Sequence, residues 1–289
     1  MIIKLDKFYS FLFVTALVGI SMFFALKAEN KNTAVSADAY VKVPVLMYHH
    51  ITENKDKAGS YTVTTDEFEK DLQYIASKGY TAVSVSQLID YVYNAEALPE
   101  KPIVITFDDG FESYQALALP ILEKYSMKSA VFIIGSAADL YTRVSDHNIS
   151  YSNLNWQAIK ELQDSPLCEV HSHTYDLHHN EKGERKGMSR LKNESNAEYE
   201  RVISADLMKL QKAFENKSLT VPAAIAYPYG AYDNYTTQII KKLGFRVSFT
   251  CEQRINRLCA GNKDSLYNLG RYNRESGIKT EEFFSEILT

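Results

Sequence analysis

The chain is poor in cysteine, tryptophan and excess positive charge. Three cysteines among 289 residues exclude a disulfide framework. The absence of any Cys-x-x-Cys leaves thiolate metal ligation without support. Cys251 and Cys259 can pair with each other in an oxidising compartment, which would leave Cys168 free. Lys and Arg number 32 against 36 Asp and Glu, a net charge of −4. That balance gives no basic footprint and no expectation of nucleic acid as a partner. No internal repeat is visible. A single tryptophan stands beside 20 tyrosines and 14 phenylalanines, an aromatic-rich but otherwise ordinary globular composition.

One long apolar run is present. Lys4 and Lys7 precede an uncharged stretch, Phe8–Leu26, "FYSFLFVTALVGISMFFAL". A basic start before an apolar run reads as an export signal over residues 1–28. The run also approaches the ~20 residues that cross a bilayer, so an uncleaved anchor is the rival reading. Residues 29–42 are small and polar, as a linker would be, and one domain is expected over 43–289.

Within that domain, apolar strand-like runs alternate with helical ones. "VPVLMYHH" (43–50), "TAVSVS", "PIVITFDDG", "SAVFIIG", "LCEVHSH", "AAIAYPYG", "FRVSFT" and "LYNLGRY" read as about eight strands. Between them lie helical stretches such as "TTDEFEKDLQYIASKG", with a Thr64/Glu67 capping box and Gly79 as its stop. Pro120 marks a kink in the helix after "DDG". Residues 179–196 are charged and aperiodic, as a surface loop is. Such alternation predicts an α/β fold with a mainly parallel sheet, a closed or nearly closed barrel, the open doubly wound sheet being the alternative. Chemistry in either collects at the carboxyl ends of the strands.

The polar motifs fall at those ends. Asp108 and Asp109 finish a buried strand side by side, a costly pairing unless a cation, a shared proton or exposure compensates. On an extended chain the two would point in opposite directions. In "EVHSHTYDLHH" (169–179), His171 and His173 would share one strand face, and His178 follows across a loop. His173, His178 and one of the two aspartates form a ligand set suited to catalytic zinc. Histidines that are merely exposed or hydrogen-bonded are the plainer alternative. "YPYG" (227–230) reads as a turn whose backbone N–H can face an oxyanion, or as a turn alone.

"TFDDG", "SHT…H" and "PYG", in that order, resemble the polysaccharide deacetylase family, carbohydrate esterase family 4, with its NodB-homology domain. "MYHHI" and the four residues between His173 and His178 resemble its intercellular-adhesin subgroup. The resemblance spans roughly residues 43–275. It implies a single distorted (β/α) barrel and a hydrolase acting on linear amide C–N bonds. The implied substrate is an exported biofilm polysaccharide, poly-β-1,6-N-acetyl-D-glucosamine. β-1,4-linked peptidoglycan or chitin-type polymers are the alternative substrates, and a non-catalytic carbohydrate-binding domain the alternative role. One divalent metal is implied, zinc first, with cobalt or nickel able to substitute. By resemblance Asp108 is the catalytic base, and Asp109, His173 and His178 are the metal ligands. Tyr229 lends its backbone N–H to the oxyanion, and His49 is the general acid. The family's C-terminal Leu-x-His is missing, since no histidine follows His179; this favours His49. Tyr227 replaces the family's usual arginine. Arg271 stands as a partner for Asp108, with an ordinary surface arginine as the other possibility. The implied setting is a secreted monomer retained at the outer cell surface or wall.

Overall fold

The computed structural model describes residues 40–181 and 185–288. The expected signal segment and most of the linker lie outside these residues. Among the described residues there are twelve strands. β1 (Val41–Val43), β2 (Val45–Tyr48), β3 (His50–Thr52), β4 (Thr62–Thr64), β5 (Thr81–Ala82) and β6 (Pro102–Phe107) form the first half. β7 (Ser129–Ile133), β8 (Cys168–Ser172), β9 (Ala224–Ala226), β10 (Val247–Phe249), β11 (Asn256–Leu258) and β12 (Tyr272–Asn273) form the second. The central sheet has eight strands, in the order β10-β9-β8-β7-β6-β2-β12, with β5 added on β6. Every pairing in it is parallel.

Its two edges approach each other. A parallel bridge joins Phe249 to Leu269, just before β12, and Thr250 N–H donates to Leu269 C=O at 2.8 Å. The sheet is therefore curled into a distorted (β/α) barrel whose seam is residues 269–273. The strands read as nearly continuous apolar runs because both of their faces are covered. All six residues of Pro102–Phe107 are buried.

The helices wrap outside. α1 (Thr65–Ser77) carries both halves of the Thr64/Glu67 capping box. α2 (Val85–Asn94) is capped by Ser84 and Gln87. Ser84 thus opens a helix, and the strand expected from "TAVSVS" shrinks to Thr81–Ala82. Pro120 has no N–H to give. The chain passes it by a wide π turn, Tyr114–Ala118, before α3 (Leu119–Lys124). α4 (Gly135–Val144) was not legible, because "GSAADLYTRV" has a weak apolar face and little to mark its start. α5 (Trp156–Gln163), α6 (Asn196–Asn216), α7 (Thr236–Lys242) and α8 (Thr280–Phe284) complete the set. Expected strand "LYNLGRY" is mostly irregular chain: Leu266 ends a 3-10 turn, Leu269 makes the single bridge to Phe249, and Tyr272 alone enters β12. Among the described residues all three cysteines are free, so Cys251 and Cys259 do not pair.

Candidate active site

Strand ends deliver the polar residues to one cavity of about 870 Å³. His49 and His50 follow β2, Asp108 and Asp109 follow β6, His173 and His178 follow β8, and Tyr229 follows β9.

The "DDG" turn does not stay extended. Asp109 and Gly110 both adopt φ of +68°. That conformation is costly for most side chains and free for glycine. Any Cβ at position 110 would also lie 2.9 Å from the Ile133 side chain, so glycine is required twice over. The turn rotates Asp109 away from strand alternation and separates the environments of the two carboxylates.

Asp108 is 2 % exposed and sits in the fork of Arg271. Nη1 donates to Oδ1 at 2.6 Å and Nη2 to Oδ2 at 2.7 Å. Burial alone would raise the Asp108 carboxyl, but the charge and hydrogen bonds of Arg271 together with the neighbouring His173 and His49 hold the group below its ordinary value. Arg271 itself is wholly buried and donates from Nε to Thr250 C=O at 2.9 Å. The surface-arginine alternative for Arg271 is thereby excluded.

Asp109 faces imidazoles instead. Its Oδ1 lies 3.4 Å from His173 Nε2 and 3.2 Å from His178 Nε2. Burial would raise this carboxyl too, yet the two histidines drive it well below the usual range. His173 Nδ1 lies 2.9 Å from Ala226 C=O, which can only accept, so Nδ1 carries the proton and Nε2 offers a lone pair. His178 Nδ1 lies 3.1 Å from the Tyr229 hydroxyl, which is also 3.4 Å from the His178 carbonyl. If the hydroxyl donates to that carbonyl, it accepts from Nδ1–H, and the second Nε2 is also a lone pair. One carboxylate oxygen and two imidazole nitrogens then lie within 4.8 Å of one another. The oxygen is buried and has no partner in hydrogen-bonding geometry. Three converging lone pairs around an orphaned oxygen are the donor set of a divalent transition ion. The residues fit such an ion.

His49 closes the other side. Its ring meets Tyr61 edge-on at 4.9 Å, and its Nδ1 is buried without a partner. Burial lowers its pKa, against the opposing pull of Asp108 and Asp109. His50 Nδ1 is 2.7 Å from Ser113 Oγ, which already accepts from Ile51 N–H at 3.2 Å. The serine thus ties His50 to the backbone of Ile51.

His171 does not share a cavity with His173. It pairs with Glu169 at 3.3 Å and leans on Phe132. The Tyr229 side chain, tilted against the His178 ring with centroids 4.5 Å apart, was missed by sequence reasoning, which had weighed only its backbone. Nothing local in "YPYG" signals that contact. Tyr61, Asn273 and Glu275 also line the cavity and were unannounced.

Fold and site together define a (β/α)-barrel hydrolase centre built from paired carboxylates and imidazoles. The profile of the polysaccharide deacetylase family matches residues 95–248, and the chain belongs to that family. The chain is 24% identical over 261 residues to the poly-β-1,6-N-acetyl-D-glucosamine N-deacetylase of Escherichia coli K12, covering 84% of this chain and 38% of that protein. It is 28% identical over 195 residues to the Staphylococcus aureus (strain MSSA476) protein of the same name, covering 68% and 63% respectively. The chain thus spans less than two thirds of either relative. Among solved structures, IcaB from Ammonifex degensii aligns with TM-score 0.67 and 27% identity, over 81% of this chain and 92% of that one. A de-N-acetylase from Aggregatibacter actinomycetemcomitans aligns with TM-score 0.70 and 25% identity, over 86% and 98%.

Proposed function

We propose that the protein removes N-acetyl groups from poly-β-1,6-N-acetyl-D-glucosamine, releasing acetate and leaving cationic glucosamine units. One observation carries this reading. Two adjacent carboxylates are split between an arginine fork and a pair of imidazoles, in the same cavity as His49. The names of the relatives support the choice of polymer.

Asp109, His173 and His178 would hold one divalent ion, with zinc first and cobalt or nickel as substitutes. Such an ion, when bound, acidifies water and polarises an acetamide carbonyl. Asp108 takes the proton of the attacking water, its other demands already met by Arg271. The Tyr229 N–H faces the oxygen that gains charge. His49 delivers a proton to the departing nitrogen, which would otherwise leave as a strongly basic amide anion. Bare carbohydrate binding would need none of this division of labour.

The Phe8–Leu26 run supports a setting outside the membrane, with the protein secreted as a monomer and retained at the outer surface or wall. The deciding experiment is acetate release from defined β-1,6 and β-1,4 N-acetylglucosamine oligomers. Release from the β-1,6 series, lost on chelation and restored by zinc or cobalt, is expected. Preference for the β-1,4 series would shift the substrate to peptidoglycan or chitin-type polymers. No release from either would sink the reading.

A further inference from the structure

The cavity wall on the His49 side offers acceptors without a cation. Asn273 donates from Nδ2 to Ser60 C=O at 3.0 Å, a contact that fixes which end of the amide is oxygen. Its Oδ1 is buried and has no partner. Such an orphaned acceptor costs free energy until a donor reaches it. Two residues on, Glu275 lines the same cavity. Among the described residues its carboxylate has no hydrogen bond or ion pair.

The wall is held in place from beneath. Arg274, between the two, turns into the core and donates to Asp71 at 2.7 Å, while Arg274 N–H donates to Met47 C=O at 3.0 Å. Asn273 stands in register with Met47 on β2, so the pair projects beside Met47 and His49. Tyr61, 63% exposed, supplies an aromatic face next to His49. On the His178 side the charge is reversed: Lys186 lies over the Tyr229 ring at 5.8 Å. A donor-rich cationic group is favoured at the first wall and disfavoured at the second.

The geometry points to a subsite in which Asn273, Glu275 and Tyr61 take the ammonium of a glucosamine unit neighbouring the acetylated unit under attack. The inference rests on the reading above and deepens it: the preferred substrate is a chain already partly deacetylated. Each turnover would then prepare the chain for the next one nearby.

The test uses two β-1,6 tetramers at pH 6, one fully acetylated and one with a single free amine. The aminated tetramer should be processed with about a two- to fivefold higher kcat/KM, the scale of a half-exposed ion pair. That ratio should collapse to about one in Glu275→Gln and shrink in Asn273→Ala. Equal values for the wild-type protein, with acetate still released, would overturn this subsite and leave the deacetylase reading standing. Calorimetry with the fully deacetylated tetramer gives a readout that needs no turnover. Binding by the wild-type chain that weakens with added salt and with E275Q supports the subsite, and binding indifferent to both refutes it.

Discussion

Two buried arginine–aspartate pairs lie three residues apart on the barrel seam, and their differences separate structure from chemistry. Arg274 and Asp71 are fully buried, and the carboxylate is saturated. It accepts from Arg274, from the Tyr48 hydroxyl at 2.9 Å and from Thr280 Oγ1 at 2.8 Å. Arg271 and Asp108 are as deeply placed, yet Asp108 has only the guanidinium fork as side-chain partner and lines the cavity. The first pair ties α1, β2 and the C-terminal segment together. The second leaves carboxylate lone pairs aimed at whatever enters the site.

The sharpest way to break the contrast is Asp108→Asn. It keeps the shape but removes the proposed base, and acetate release should fall by ~10²–10⁴-fold while the metal content of the purified protein stays unchanged. A metal-free Asp108→Asn alongside a loaded Asp109→Asn would reverse the two roles. His49→Ala should lose turnover on the same ~10²–10⁴ scale and flatten the alkaline limb of the pH–rate profile. His50→Ala, which removes the Ser113 and Phe111 contacts, should do much less. If His50→Ala proves the more damaging while folded and metal-loaded, the acid has been misassigned.

The structural pair should show its worth in stability. Arg274→Met leaves the Asp71 charge buried and alone, so denaturant unfolding should report a loss of about 3–5 kcal/mol. Asp71→Leu with Arg274→Met should recover part of it, since paired removal abolishes the stranded charge. The same double swap at Asp108 and Arg271 can recover stability but never turnover.

A smaller effect comes from Glu169. Burial opposes its charge, but His171 and the Ser86 N–H at the start of α2 hold its pKa down to about 2. The unfolded group titrates near 4.5, so its contribution is complete above that value and lost as pH falls through about 2. Glu169→Gln should cost on the order of 1–3 kcal/mol at pH 7 and almost nothing near pH 2, read from urea midpoints across that range. A cost independent of pH would refute the assignment.

Much of this was legible because each signal was local. Apolar runs of strand length, the Thr64/Glu67 box and the polar residues at four strand ends all lie within a few residues of one another. The barrel followed from strand–helix alternation. What was hidden depends on distant segments. "TFDDG" gives no hint that Asp109 turns left-handed, nor that Ile133, a distant residue, leaves no room for a side chain at Gly110. Arg271 reads as any arginine until the seam brings it 163 positions back along the chain to Asp108. Tyr229 and Asn273 matter through contacts with His178 and Ser60, residues that no periodicity links to them. Helix α4 escaped because no side-chain cap marks its start and its buried face is only Gly135 and Ala138, and "TAVSVS" misled because Ser84 serves as a helix cap.

The seam also sets an order of events for a chain made from its N-terminus. β2, which His49 directly follows, has β6 on one side and β12 on the other. During synthesis the first neighbour, Pro102–Phe107, appears well before the second, Tyr272–Asn273. Until then Asp108 has no guanidinium and the barrel has an open edge, which closes only at the entropic cost of a very long loop. A nascent chain therefore carries His49, Asp108, Asp109, His173 and His178 in an unclosed barrel until the seam at residues 269–273 has emerged.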